Sequence, residues 1–244
     1  MLLQLFLLSL GSVIGWGLYS LTEKSKTISL NSIFIPKNRN QGAARLASAI
    51  LLGVLYFIIT DKLLISIERI NFSELIILIT VLAIFTDLIF LAIYDLKHFE
   101  VQGLVSAILL IFLLLINVGI LFVNISGILL WKDSSYAPLS NLFAGIVGGS
   151  LTGLIYLVTK KKGIGEGDIR MAVIMGLILG ITKLIIAFYI TILSASLVGI
   201  IYAIYIKTFK GVKIPFLPFI ILGIIVAFFY SEEIITAIQN LMLR

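Results

Sequence analysis

Three carboxylates stand where a carboxylate is costly. Asp87, Asp95 and Asp168 each lie inside or against a long apolar run, where an ionisable side chain is a candidate for function by default. Asp168 sits in "KKGIGEGDIRM", behind Gly163, Gly165 and Gly167 and two residues ahead of Arg170. Asp95 closes the apolar run in "LAIYDLKHFEVQG", two residues ahead of Lys97. Taken singly, each has a plain structural reading. Asp168 caps a helix after a glycine turn, and the glycines are free to take positive φ. Asp95 is a solvated acid beside Lys97. Asp87, eight residues before Asp95, reads best as a hydrogen-bonded polar group between helices; its functional alternative is an auxiliary to Asp95 or a substitute for it. Together, Asp95 and Asp168 suggest more. Two carboxylates sharing a partly dry site hold one proton between them. One then takes a proton from water while the other donates one to a carbonyl oxygen.

Other chemistries lack their residues. The 244 residues include no cysteine and one histidine, His98. Disulfides, thiol nucleophiles and cysteine zinc sites are therefore absent, and the two-histidine zinc protease motif cannot be built. No serine sits in a GxSG setting. The net charge of +6 is carried by short loops between apolar runs, which is the pattern of membrane topology rather than of nucleic-acid binding.

The elements that must position these carboxylates are set by composition. The chain is 61% hydrophobic and 12% charged, against roughly a quarter charged in soluble domains. In lipid every backbone polar group must be paired internally, so such a chain spans the bilayer as helices. The expected fold is all-α and polytopic, with about eight spans: Leu2–Leu21, Ala43–Thr60, Leu75–Tyr94, Gly103–Val123, Leu139–Thr159, Ile169–Thr182, Leu184–Ile206 and Ile214–Tyr230. The first is read as a retained span, since it has neither a basic n-region nor a small-residue cleavage site. Ser231–Arg244 reads as an amphipathic segment along the interface. Gly11 and Gly15 suit close helix packing, and Pro215 opens the last span. Glu100 and Glu166 read as solvated loop acids.

With the N-terminus outside, 13 of the 18 lysines and arginines fall in inner loops, as the positive-inside rule asks. Two spans separate Asp95 from Asp168, so both come to the cytoplasmic face at similar depth.

These segments resemble one family. "GIGEGDIRMAVIMGLILG" is similar to the GxGD segment of type IV prepilin peptidases, which are membrane aspartic proteases. "IYDLKHFEV" resembles their first catalytic segment, and "KIPFLPFI" their C-terminal I-P-F-G-P-F, with Leu217 in place of the glycine. "LGSVIGWGLYS" is similar to their N-terminal G-S-F-L-N. The resemblance runs along nearly the whole chain. It implies one membrane-embedded domain over residues 1–244, in the cell membrane, with its active site facing the cytoplasm. It also implies cleavage of the basic leader from prepilins or pseudopilins of type IV pilus and type II secretion systems. Asp95 and Asp168 take the catalytic places, supported by Gly163, Gly165, Gly167, Lys97 and Arg170.

The chain departs from the family in two places. Val101–Gln102 stands where the family has Ile/Leu-Pro. Bifunctional relatives carry paired CxxC motifs after the first helix and methylate the new terminus with S-adenosylmethionine. Here residues 22–44 read as a short cytoplasmic loop, "TEKSKTISLNSIFIPKNRNQGAA", without cysteine. The expectation is no metal and no cofactor for proteolysis, with S-adenosylmethionine needed only if methyl transfer is retained. Partners are the prepilin substrate and the bilayer, with no nucleic acid. Two alternatives remain. Tyr94–Asp95 also suits a presenilin or signal-peptide-peptidase relative, though two spans intervene and no P-A-L follows. The glycine-broken helix at Gly163–Gly167 also suits a transporter, though no inverted repeat is visible.

Overall fold

A computed structural model of the protein describes residues 2–22, 39–64, 72–123, 138–160, 164–207 and 214–242. These residues form seven helical elements: α1 (Leu2–Leu21), α2 (Arg39–Leu64), α3 (Phe72–His98), α4 (Gly103–Val123), α5 (Pro138–Val158), α6 (Glu166–Tyr205) and α7 (Leu217–Met242). Six contain stretches long and apolar enough to cross a bilayer, and α1 contributes the shorter apolar stretch Gln4–Tyr19. The protein is an all-helical, polytopic membrane protein. Its outer surface carries large apolar side chains such as Phe122, Leu139, Val158 and Leu197, which is what a lipid solvent permits. Gly163 and most of the expected loop at 22–44 lie outside the described residues.

The chain divides into two compact units, Met1–Lys97 and His98–Arg244. In the first, α1 packs along α2 through small residues. A Cβ on Gly11 would meet the Tyr56 ring at 2.8 Å, and one on Gly15 would meet the backbone of Ser48. Without a hydrophobic force between helices in lipid, such close backbone contact is a main source of association. Ser48 Oγ donates to Gly15 O at 2.7 Å, and Tyr56 and Thr86 share a hydroxyl–hydroxyl bond of 2.7 Å between α2 and α3. The buried apolar residues include Leu52 and Ile59 of α2 with Phe85, Leu88 and Leu91 of α3. Arg45, inside the expected span Ala43–Thr60, lies within α2 and is 2% exposed. The helix starts at Arg39, earlier than the apolar run suggests, because the preceding polar residues continue the same backbone ladder.

In the second unit α6 is central, touching α4, α5 and α7. It is one 40-residue helical run broken at Gly180, whose φ of 71° and ψ of 175° are not helical. A straight run of that length would reach about 60 Å, twice the hydrocarbon thickness. The chain instead folds back. Ala172 O and Leu184 Cδ1 both lie within 4 Å of the Cβ position of Gly148 on α5. Twelve residues of straight helix would hold their Cα atoms about 18 Å apart. The sixth and seventh expected spans therefore meet at Gly180 itself, with no loop between them. Two side chains take over the interrupted ladder. Asn117 Nδ2 donates to Leu177 O at 3.3 Å, and Ile181 N–H donates to Ser140 Oγ at 3.3 Å.

One boundary differs from expectation at the C-terminus. The helix starting at Leu217 runs unbroken to Met242, so the segment read as a separate interfacial piece from Ser231 onward extends the last span. Ser231 is 2% exposed, and no glycine or proline interrupts the helix there.

Candidate active site

Asp95 lies in the last turn of α3 and is 5% exposed. It is not the solvated loop acid that its neighbours suggest. Lys97, two residues on, turns to the end of α1. Its Nζ donates to Tyr19 O at 2.7 Å and to the Thr22 hydroxyl, and it lies 3.3 Å from the centroid of the Tyr19 ring. The ring's negative face and the free carbonyls of a helix C-terminus both favour a cation. Asp87 is half-buried further up α3, next to Thr86 and its bond to Tyr56.

Asp168 is the third residue of α6, and Gly165 holds the N-cap position. The carboxylate therefore lies three positions past the cap position expected of it. Its Oδ2 accepts the Gly165 N–H at 3.0 Å, satisfying one of the amides a helix start leaves open. Gly165 and Gly167 are not used for positive φ: Gly165 has φ −83°, and Gly180 is the positive-φ glycine among the described residues. Gly167 is required for closeness. A Cβ on it would lie 2.5 Å from Cβ and Cγ2 of Val101. Glu166, expected in a loop, opens the helix and accepts the Tyr156 hydroxyl at 2.6 Å.

Arg170 joins the same turn of α6 to the start of α4. Its Nη1 donates to Gly103 O at 3.0 Å and to Ser106 Oγ at 2.8 Å. Gln102, at the position where a proline was noted as missing, caps α4: its Oε1 accepts the Val105 N–H. A proline has no side-chain acceptor to do this. Phe99, at φ 54°, makes the left-handed turn ahead of α4.

The structure thus gathers Gly165, Gly167, Asp168 and Arg170 in the second unit, and Asp95 with Lys97 in the first. Thr22, Ser106 and Tyr156 were not singled out from sequence, and Val101 only as a departure from the family pattern. Ser106 carried a weak signal as a lone hydroxyl in the apolar run "GLVSAILL". The others become visible only through their contacts. Among the described residues no three of His, Asp and Glu gather to hold a metal ion.

A membrane helix bundle with a GxGD turn at the start of one helix and an aspartate at the end of another defines a class, and comparison with known proteins agrees with it. The profile of the type IV leader peptidase family matches residues 80–204. The chain belongs to that family, whose members are aspartic-type membrane peptidases. It is similar to a prepilin leader peptidase/N-methyltransferase of Bacillus subtilis (strain 168), 31% identical over 104 residues, covering 41% of this chain and 42% of that protein. It is also similar to a protein of the same description from Neisseria gonorrhoeae, 30% identical over 97 residues, covering 38% of this chain and 32% of that protein. The matches therefore span less than half the length of these curated relatives. No solved structure matches.

Proposed function

We propose that this protein is a membrane aspartic endopeptidase that removes the basic leader from prepilin-like or pseudopilin substrates at the cytoplasmic face. The observation that carries this reading is the family match over residues 80–204, which takes in both Asp95 and Asp168 with their flanking motifs in order. Its support from the molecule is the treatment of the two carboxylates. Each ends or opens a long apolar helix, and each is held by neighbouring contacts.

In the proposed reaction a water sits between the two carboxyl groups and the scissile carbonyl. The ionised carboxylate takes a proton from the water as its oxygen bonds to the carbonyl carbon. The protonated partner donates its proton to the carbonyl oxygen, giving a neutral tetrahedral diol. The C–N bond then breaks, a proton passes to the leaving amine, and the dyad returns to its one-proton state. No metal or cofactor enters these steps. The methyl-transfer activity in the relatives' descriptions is not carried over to this chain. Membership of a peptidase family weighs against the transporter reading, and the spacing of the aspartates weighs against the presenilin-like one.

The test is co-expression with candidate prepilins and a mobility shift on a gel. Wild-type protein should convert precursor to mature pilin. Asp95→Asn and Asp168→Asn should each abolish conversion while still accumulating in the membrane. Conversion at the wild-type rate by both variants would end the protease reading.

A further inference from the structure

The two candidate catalytic turns share a construction that neither motif explains. Two residues after Asp95, Lys97 donates to a backbone carbonyl, Tyr19 O, and to the hydroxyl of Thr22. Two residues after Asp168, Arg170 donates to a backbone carbonyl, Gly103 O, and to the hydroxyl of Ser106. In both seats the hydroxyl lies three residues after the carbonyl and donates its own proton to it: Thr22 Oγ1 to Tyr19 O at 2.7 Å, and Ser106 Oγ to Gly103 O at 3.1 Å. The cation thus meets two acceptors already oriented by each other. One seat is built at the C-terminus of α1 and the other in the first turn of α4, so the recurrence is not a by-product of one kind of helix end.

We propose that Lys97 and Arg170 are positioning residues, and that the carbonyl–hydroxyl pairs Tyr19/Thr22 and Gly103/Ser106 are the seats that fix the direction of Asp95 and Asp168. This inference rests on the proposed peptidase function. The geometry of a helix gives it substance. Residues two apart point about 200° away from each other, whereas residues three apart share a face. On α6, Gly167 and Arg170 are three apart and both meet the start of α4, through Val101 in one case and through Gly103 and Ser106 in the other. That face is locked to α4, so Asp168, two residues before Arg170, is turned away from the Arg170 seat, and its Oδ2 accepts the Gly165 N–H. On α3, Lys97 locks one side to the end of α1 and turns Asp95 from it in the same sense. The seats use charge-assisted bonds in a region partly shielded from water, where they are strongest. Ser106 is fully buried, as is Thr22, so water does not readily replace either acceptor. A misdirected carboxylate loses rate while substrate binding elsewhere is unaffected.

The experiment has two arms. In the first, cleavage kinetics are measured on purified full-length protein with a prepilin. Lys97→Met and Arg170→Met should each lower kcat by about tenfold or more, the effect of one charge-assisted hydrogen bond, with KM little changed. Lys97→Arg and Arg170→Lys should recover most of the loss. Ser106→Ala in the Arg170→Met background should cost little further, since the pair acts as a unit. The second arm needs no activity. The chain has no cysteine, so spin labels can be placed in pairs within each unit, at Leu21 and Leu96 for the first seat and at Leu104 and Glu166 for the second. The label-to-label distance distribution should broaden when Lys97→Met or Arg170→Met is introduced, and Thr22→Val and Ser106→Ala should broaden it by less. Unchanged distributions in the Met variants overturn the positioning role even if the substrate is of another kind. An effect confined to KM would mean that these cations bind substrate, and overturns it also. If no prepilin is cleaved by the wild type but the distributions broaden as described, the peptidase reading fails and the seats stand.

Discussion

Asp168 and Gly167 show how much depends on single side chains at the start of α6. The dyad proposed for Asp95 and Asp168 works as one device, so Asp95→Asn/Asp168→Asn should cleave no worse than either single variant. Its pH–rate profile should be bell-shaped, with limbs that belong to the pair. Asp87→Asn should keep most activity, because Asp87 lies two turns earlier in α3; loss of activity there with Asp95→Asn still active would mean that the wrong carboxylate has been paired. Gly167→Val should also inactivate, through crowding against the start of α4 rather than through the acid. The cause is Val101, whose Cβ and Cγ2 stand 2.5 Å from any new Cβ, an overpacking cost of about 1–3 kcal/mol. It follows that Gly167→Ala should be rescued in part by Val101→Gly, as read by cleavage of prepilin. A Gly167→Ala variant of full activity would show that α4 yields at this point without consequence.

At the scale of the element, the break in α6 matters most. Gly180 holds φ 71° and ψ 175°, a region that residues with a Cβ avoid at a cost of about 1–3 kcal/mol. A Cβ there would also lie 2.7 Å from Asn141 Oδ1. Gly180→Ala should therefore lower the thermal midpoint in detergent and reduce accumulation in the membrane. Asn141→Gly should restore only the steric part of that loss, leaving the backbone part. Ser140→Ala should destabilise less, since it removes the acceptor of one amide, Ile181 N–H. Equal stability of Gly180→Ala and wild type would argue that α6 does not fold back here. The glycine is not interchangeable with those of the α5–α6 contact. Gly176, for example, has ordinary helical φ and is required because Ala144 and Gly145 of α5 press against it.

At the scale of the whole molecule, charge bears on which face carries the chemistry. From the distribution of lysine and arginine we propose that both candidate turns face the cytoplasm. Single cysteines can be introduced into a chain that has none. Lys160→Cys, at the end of α5, should resist a membrane-impermeant thiol reagent in intact cells, and Lys62→Cys, at the end of α2, should react; both positions are exposed. The reverse pattern would move the reaction to the other side of the membrane. Cleavage should persist in strong chelators, and mature pilin made by the purified protein should lack the roughly 14 Da of an added methyl group. Methylated product in the presence of S-adenosylmethionine would overturn that second statement.

Composition alone determined that this chain is helical and spans a membrane, because lipid leaves the backbone of an apolar chain few other ways to pair its polar groups. The motif residues "IYDLKHFEV" and "GIGEGDIR" pointed to Asp95, Asp168 and the family, since costly carboxylates in apolar runs stand out in a linear reading. What sequence could not supply is how backbones approach one another. It read the glycines before Asp168 as conformational, whereas Gly167 answers to Val101, and it separated two spans that Gly180 joins directly. It placed Glu166 in a loop, and it missed Thr22 and Ser106. A carbonyl and a hydroxyl three residues apart occur throughout any membrane helix. They become a seat for a cation only when folding brings Lys97 or Arg170 to them, and that is a contact between distant parts of the chain, which tertiary structure alone decides.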